Sequence, residues 1–386
     1  MQRLSLCSLL LVLALTPTAS SAAEDSPEWV ACTARAGTTD NAIVAACTSV
    51  LSATKEPPNR LAEAAFSRGL AEQRLGDKGE GYADFAAAQR FDPKFTKGFV
   101  ARGLDATTDG KFDVAIKEFN QAIAIDPKLV LAYYGRGLAY DASRQFDRAI
   151  KDYQQALGLD PKFAMAYFGL GLAYHGKAQF DRSIESYNKA IELDPQYAQA
   201  LYNRGNAYGA VNKVDRAIAD YSAAIRIDPK YAKAYYMRGL ANRQTGNFDQ
   251  ALADLDAVIR LNPDFTDAVT RRNELLRKVA ETPPPSPADK PKEDQLFGLF
   301  LAKWGDAACH YADIDDDERK ALDREVAGRI GPTGVSAARA AAIEARAKDG
   351  IARKTASNPK FCGDAEFAVD VRELFDASAD RPKRSR

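Results

Sequence analysis

The chain has 386 residues, enough for more than one domain, and its 53 Lys plus Arg are matched by 53 Asp plus Glu. Such a balance leaves no net field to draw nucleic acid or an anionic membrane surface, which argues against bulk electrostatic binding to either. The charge reads as surface solubility, and no nucleic-acid partner is expected.

In chain order, Arg3 precedes an apolar run from Leu4 to Leu15, and "TPTASSAAEDS" follows. A charged start, a short apolar stretch and small residues at a cut site read as a secretory signal over residues 1–23, cut after Ala23 or Ala22. The run is too short to span a bilayer, so no integral membrane segment is expected after cleavage. Cys7 is discarded with it. Four cysteines remain: Cys32, Cys47, Cys309 and Cys362. An even number in an exported chain suggests disulfides, with sequence neighbours as partners: Cys32–Cys47 and Cys309–Cys362. Loops of those lengths would contribute about 3 and roughly 4 kcal/mol if unstrained. Zinc fits poorly, because no CxxC occurs and His175 and His310 are the only histidines. No metal and no cofactor are expected.

Residues 24–61 read as a degenerate N-terminal helical hairpin, with Cys32 on its first helix and Cys47 on its second. A period then begins. Pro93, Pro127, Pro161, Pro195, Pro229 and Pro263 recur at one fixed interval, and Gly69, Gly103, Gly137, Gly171, Gly205 and Gly239 keep the same interval. The period defines six units: 62–95, 96–129, 130–163, 164–197, 198–231 and 232–265. In the third, Tyr133, Arg136, Gly137 and Tyr140 share one face of a first helix, and Ala149, Tyr153 and Ala156 one face of a second. Gly137 and the alanines leave room for close approach, and the aromatic rings fill the space around them. Asp147 suits the positive end of the second helix, and Asp160-Pro161 ends it. One hairpin cannot bury both faces, so each copy is the packing surface for the next.

A period of this length with this residue pattern resembles the tetratricopeptide repeat, whose helix–turn–helix units stack into a superhelical solenoid. The resemblance implies an all-α fold and a concave groove lined by the first helices. Carried onto this chain, one groove slot holds Phe66, Val100, Tyr134, Phe168, Tyr202 and Tyr236, and a second holds Leu70, Leu104, Leu138, Leu172, Asn206 and Leu240. Two readings of these rings stand side by side: anchors for a partner segment, or packing of helix against helix. Polar groove candidates are Lys97, Asp141, His175, Lys233 and Arg243, whose mixed signs nominate neither an acidic nor a basic ligand. Some relatives hold a chaperone's C-terminal carboxylate with lysines, asparagines and an arginine. This chain offers only Asn203, Asn206 and Lys233 of such a clamp, with Met237 in place of its last basic residue.

Residues 266–281 read as a capping helix, and 282–295 as a Pro-rich linker within "ETPPPSPADKPKEDQ". Residues 296–378 are expected to form a small all-helical domain closed by Cys309–Cys362, followed by a basic tail at 379–386. The element order resembles small cysteine-containing domains that follow repeats in exported bacterial envelope proteins. Asp313, Asp315, Asp316 and Asp317 fail the calcium-loop template, since Glu318 stands where glycine is needed and Arg324 where glutamate is needed. No phosphate-binding, dinucleotide, HExxH or GxSxG pattern occurs. The expectation is a non-enzymatic, periplasmic or secreted adaptor that binds peptide segments or helices of envelope proteins. Two alternatives are a self-assembling structural protein and an enzyme seated in residues 296–378.

Overall fold

The computed structural model describes residues 26–33, 38–53, 56–281, 340–341 and 343–345. The expected signal segment, the linker, the Cys309–Cys362 pair and the basic tail lie outside the described residues. Every described element is a helix, and the fold is all-α. The residues fall into two compact units, one ending at Asn212 and the other starting at Lys213.

The first unit opens with α1 (Pro27–Thr33) and α2 (Asp40–Ser52). Repeat one follows as α3 (Pro58–Leu75) and α4 (Lys78–Phe91), repeat two as α5 (Thr96–Thr108) and α6 (Phe112–Ile125). Repeat three is α7 (Val130–Ala142) and α8 (Phe146–Leu159), and repeat four is α9 (Ala164–Gly176) and α10 (Phe180–Leu193). The unit ends on α11 (Ala198–Ala210). Successive helices pack on each other, and first helices also touch the first helix of the next repeat: α5 with α7, α7 with α9, α9 with α11. The first helix of repeat one starts at Pro58, ahead of the boundary expected at residue 62. Proline suits that first turn, where its missing N–H costs nothing.

The glycines explain the stacking. Tyr153 projects from α8 between α7 and α9, against Gly137 on one side and Gly169 on the other. A Cβ at either glycine would stand 2.7 Å from ring carbon Cε1 or 2.6 Å from Cζ. The ring is fully buried, and burying a side chain of this size contributes roughly 2 kcal/mol. The aromatic slot thus ties two repeats together.

An arginine rung runs beside this core. Arg136 donates from Nε and Nη2 to the Asp152 carboxylate at 2.8 and 2.7 Å, and from Nη1 to Asn120 Oδ1 of the preceding repeat at 2.5 Å. Arg68 likewise joins Asp84 and Thr48. In repeat four the slots hold Leu170 and Ser186. A small depression of about 270 Å³ opens there, lined by both residues with Tyr167, Tyr174, Arg182, Glu185 and Lys189.

Second helices end at aspartate. The side chains of Asp92, Asp126 and Asp160 accept from the backbone N–H two residues on, each at 2.9 Å. Proline between the two stops the helix, and the carboxylate folds back to close the turn. At the N-terminal end the sulfurs of Cys32 and Cys47 lie within bonding distance, with Cα atoms 4.7 Å apart. They share a cluster with Trp29, Ile43 and Val50 that rests on Ala64 and Ala71 of α3.

The second unit comprises α12 (Val214–Ile227), α13 (Ala232–Gln244), α14 (Phe248–Leu261) and α15 (Thr266–Glu281). Leu252, Leu255 and Val258 of α14 form one core with Leu275, Leu276 and Val279 of α15. Ala341 and Ala345 pack against it. Arg238 repeats the rung here, bonded to Asp254 and to Ser222.

Candidate functional site

On α7, Tyr134, Leu138 and Asp141 lie on one helical face, and on α9 the same face carries Phe168, Leu172 and His175. Each stripe runs from a buried ring through a half-buried leucine to a polar end. Tyr134 is fully buried, its ring centroid 5.8 Å from Tyr153 and 5.1 Å from Phe163. Phe168 is buried too, 5.8 Å from Tyr187 and 4.9 Å from Tyr197.

This corrects the ladder expected from the sequence. Phe66, Val100, Tyr134 and Phe168 are interior residues and present no side chain to a partner. The cause is the second helix of each repeat, whose ring reaches the glycine slots and meets the groove-slot side chain from behind. Leu70 and Leu104 are also buried, whereas Leu138, Leu172, Tyr202 and Asn206 are half-buried. The face open to a partner in this unit therefore lies on α7, α9 and α11.

The polar candidates divide by what they touch. Lys97 is bound to Glu63 at 2.9 and 3.0 Å, a pair that ties α5 to α3. Asp141 has one carboxylate oxygen, Oδ1, buried without a hydrogen-bond partner, and burial pushes its pKa up to about 6. His175 stands edge-on to Phe180 at 5.2 Å, and burial lowers its pKa. Asp105 on α5 accepts from Gln73 Nε2 of α3 and is likewise pushed up to about 6, chiefly by burial.

In the second unit, Lys233 is exposed, and Tyr236 is half-buried, donating its hydroxyl to Asp267 of α15. Leu240 and Arg243 line a depression of about 540 Å³ with Gln244, Arg271 and Lys278. Arg243 pairs with Glu274 at 3.7 Å. The groove slots expected from the sequence did not include Tyr153, which lies on a second helix. The signal that could have found it is Gly169, an extra glycine two residues ahead of the periodic Gly171.

Residues 134–198 and 202–264 match a family profile described as "Tetratricopeptide repeat", and residues 108–143 match one described as "TPR repeat". These hairpins are tetratricopeptide repeats. Among solved structures, that of Pseudomonas aeruginosa pilF is 16% identical with a TM-score of 0.51, covering 56% of this chain and 99% of that one. The APC/C Cut9–Hcn1 hetero-tetramer gives 16% identity and a TM-score of 0.53, covering 61% and 48%. YrrB, described as a TPR protein with an unusual peptide-binding site, is 21% identical with a TM-score of 0.40, covering 49% and 97%. The first two likenesses speak to the tetratricopeptide fold alone. No curated protein matches the chain in sequence. Among the described residues, no helix is long and apolar enough to cross a membrane.

Proposed function

We propose that this protein is an exported adaptor whose tetratricopeptide repeats hold an extended segment or a helix of another envelope protein. The observation that carries the reading is the half-exposed row of Leu138, Leu172 and Tyr202 on the neighbouring helices α7, α9 and α11. Apolar side chains on a rigid scaffold anchor a segment at low entropic cost, and the polar slots at Asp141 and His175 set its register. The leader-like stretch at residues 1–23 and the Cys32–Cys47 pair support a periplasmic or secreted location. The scaffold itself catalyses nothing in this reading.

The test is affinity capture from an envelope extract with wild type and with a Leu138→Glu, Leu172→Glu, Tyr202→Glu variant whose helicity is verified by circular dichroism. A protein retained by wild type and lost by the variant is the expected result. Identical captures by the two would move the working surface elsewhere.

A further inference from the structure

Repeats three and four fill one position with a stacked pair. Arg148 lies over Tyr140 at 5.6 Å from the ring centroid, and Arg182 over Tyr174 at 5.8 Å. In repeat six both members are exchanged: Asn242 stands in the tyrosine slot and Gln250 in the arginine slot. A depression of about 590 Å³ opens there, lined by Asn242 and Gln250 together with Ser222, Arg238, Asn247 and Phe248. Small-molecule sites typically enclose roughly 300–1,000 Å³.

The two carboxamides converge on one buried carboxylate. Asp254, 1% exposed, accepts from Arg238 Nε and Nη2 at 3.0 and 2.6 Å, from Asn242 Nδ2 at 3.2 Å and from Gln250 Nε2 at 3.5 Å. An ionised carboxylate only accepts, so both amide nitrogens turn to it. The carbonyl oxygens are then the atoms left for the depression, and among the described residues nothing donates to either. Asn247 likewise commits its amide nitrogen to Thr245 and leaves its oxygen. Donors are present too. Ser222 accepts from Arg238 Nη1 at 2.9 Å, which leaves its own O–H to give. The Gln250 backbone N–H lies in the first turn of α14, where Asn247 provides no side-chain cap.

We propose that this depression is a binding site for a neutral saccharide. Neighbouring hydroxyls of the sugar donate to the Asn242 and Gln250 oxygens and accept from Ser222 and the Gln250 N–H. A hydroxyl can do both, whereas an ammonium or guanidinium only donates and a phosphate or carboxylate only accepts. Arg238 is already paired with Asp254, so its charge is not left for an anion. The half-buried Phe248 ring supplies apolar contact for the C–H groups of the sugar. The site uses none of Leu138, Leu172 or Tyr202, so it goes beyond the adaptor reading and does not depend on it.

The test is saturation-transfer NMR on the full chain with cellobiose and N,N′-diacetylchitobiose, and with N-acetylarginine amide and inorganic phosphate as charged controls. Saturable binding of at least one disaccharide, displaced by neither control, is the expected result. Asn242→Tyr with Gln250→Arg restores the stacked pair of repeats three and four and should weaken that binding about thirtyfold, the worth of two neutral hydrogen bonds. Gln250 is exposed, so Gln250→Leu removes one acceptor without touching the core and should weaken binding about fivefold. Unchanged disaccharide affinity in both variants overturns the site. Failure of both disaccharides to bind the wild type overturns the saccharide assignment. Tighter binding of arginine amide or phosphate than of either disaccharide overturns it as well, in favour of a charged ligand. Each of these failures leaves the capture experiment on the Leu138 row untouched.

Discussion

Repeats three and four stack on each other and keep the same glycine and tyrosine slots, Gly137 with Tyr153 and Gly171 with Tyr187. They part at two others. Repeat three has the Arg136–Asp152 rung, where repeat four has Leu170 and Ser186 beside a small depression. Repeat three ends its first-helix stripe on Asp141, repeat four on His175. The glycine and tyrosine slots therefore carry the stacking, and the rung is one of two solutions to the same gap. An ion pair removed as a unit leaves no stranded charge, whereas half a pair would.

The largest effect should come from splitting that unit. Arg136→Leu leaves Asp152, 8% exposed at its side chain, without its partner, and urea melts should show a loss of about 3–5 kcal/mol. Arg136→Leu with Asp152→Ser copies repeat four and should return to within about 1 kcal/mol of wild type. A double variant as unstable as the single one would mean that repeat four is compensated by something other than the paired change.

The second contrast is one of pH. The folded state holds Asp141 at about 6, above its ordinary 3.8. The proton is thus bound more tightly in the folded chain. Its contribution is fully present below pH 3.8 and lost as pH rises through about 6, amounting to up to about 3 kcal/mol. His175 has the opposite sense: its pKa is lowered, so it costs stability as pH falls below 6.5. Asp141→Asn should flatten the fall in melting temperature between pH 4 and 6 and raise stability at pH 7. A variant that melts lower at pH 7 would make Asp141 a structural residue. The smallest of these effects is expected at the shared slot. A Cβ on Gly171 would stand 2.3 Å from Tyr187 Cε1, so Gly171→Leu should cost about 1–3 kcal/mol. An unchanged melting curve would contradict the stacking account.

The period, the helix pairs and their ends were legible because they rest on local rules: glycine at a close approach, Asp-Pro at a helix end. Tyr134 and Phe168 were not, since their burial is decided by a ring arriving from the second helix and by the next repeat. A helical face read alone cannot show how wide its covered arc is once two neighbours are in place. Leu138 and Tyr134 are four residues apart on one stripe, and only packing separates the half-open from the closed. The Leu170–Ser186 exchange could have been seen at a separation of sixteen residues, the spacing of Arg136 to Asp152.

Ala341 and Ala345 have a further consequence. They rest on the apolar core of α14 and α15, the last hairpin and its cap. A second molecule adding end to end at that core would have to displace a segment tethered to the same chain. A tether keeps its segment at a high effective concentration, which a free copy must outcompete at every encounter. Head-to-tail addition at this core would therefore have to overcome that tethered competitor first.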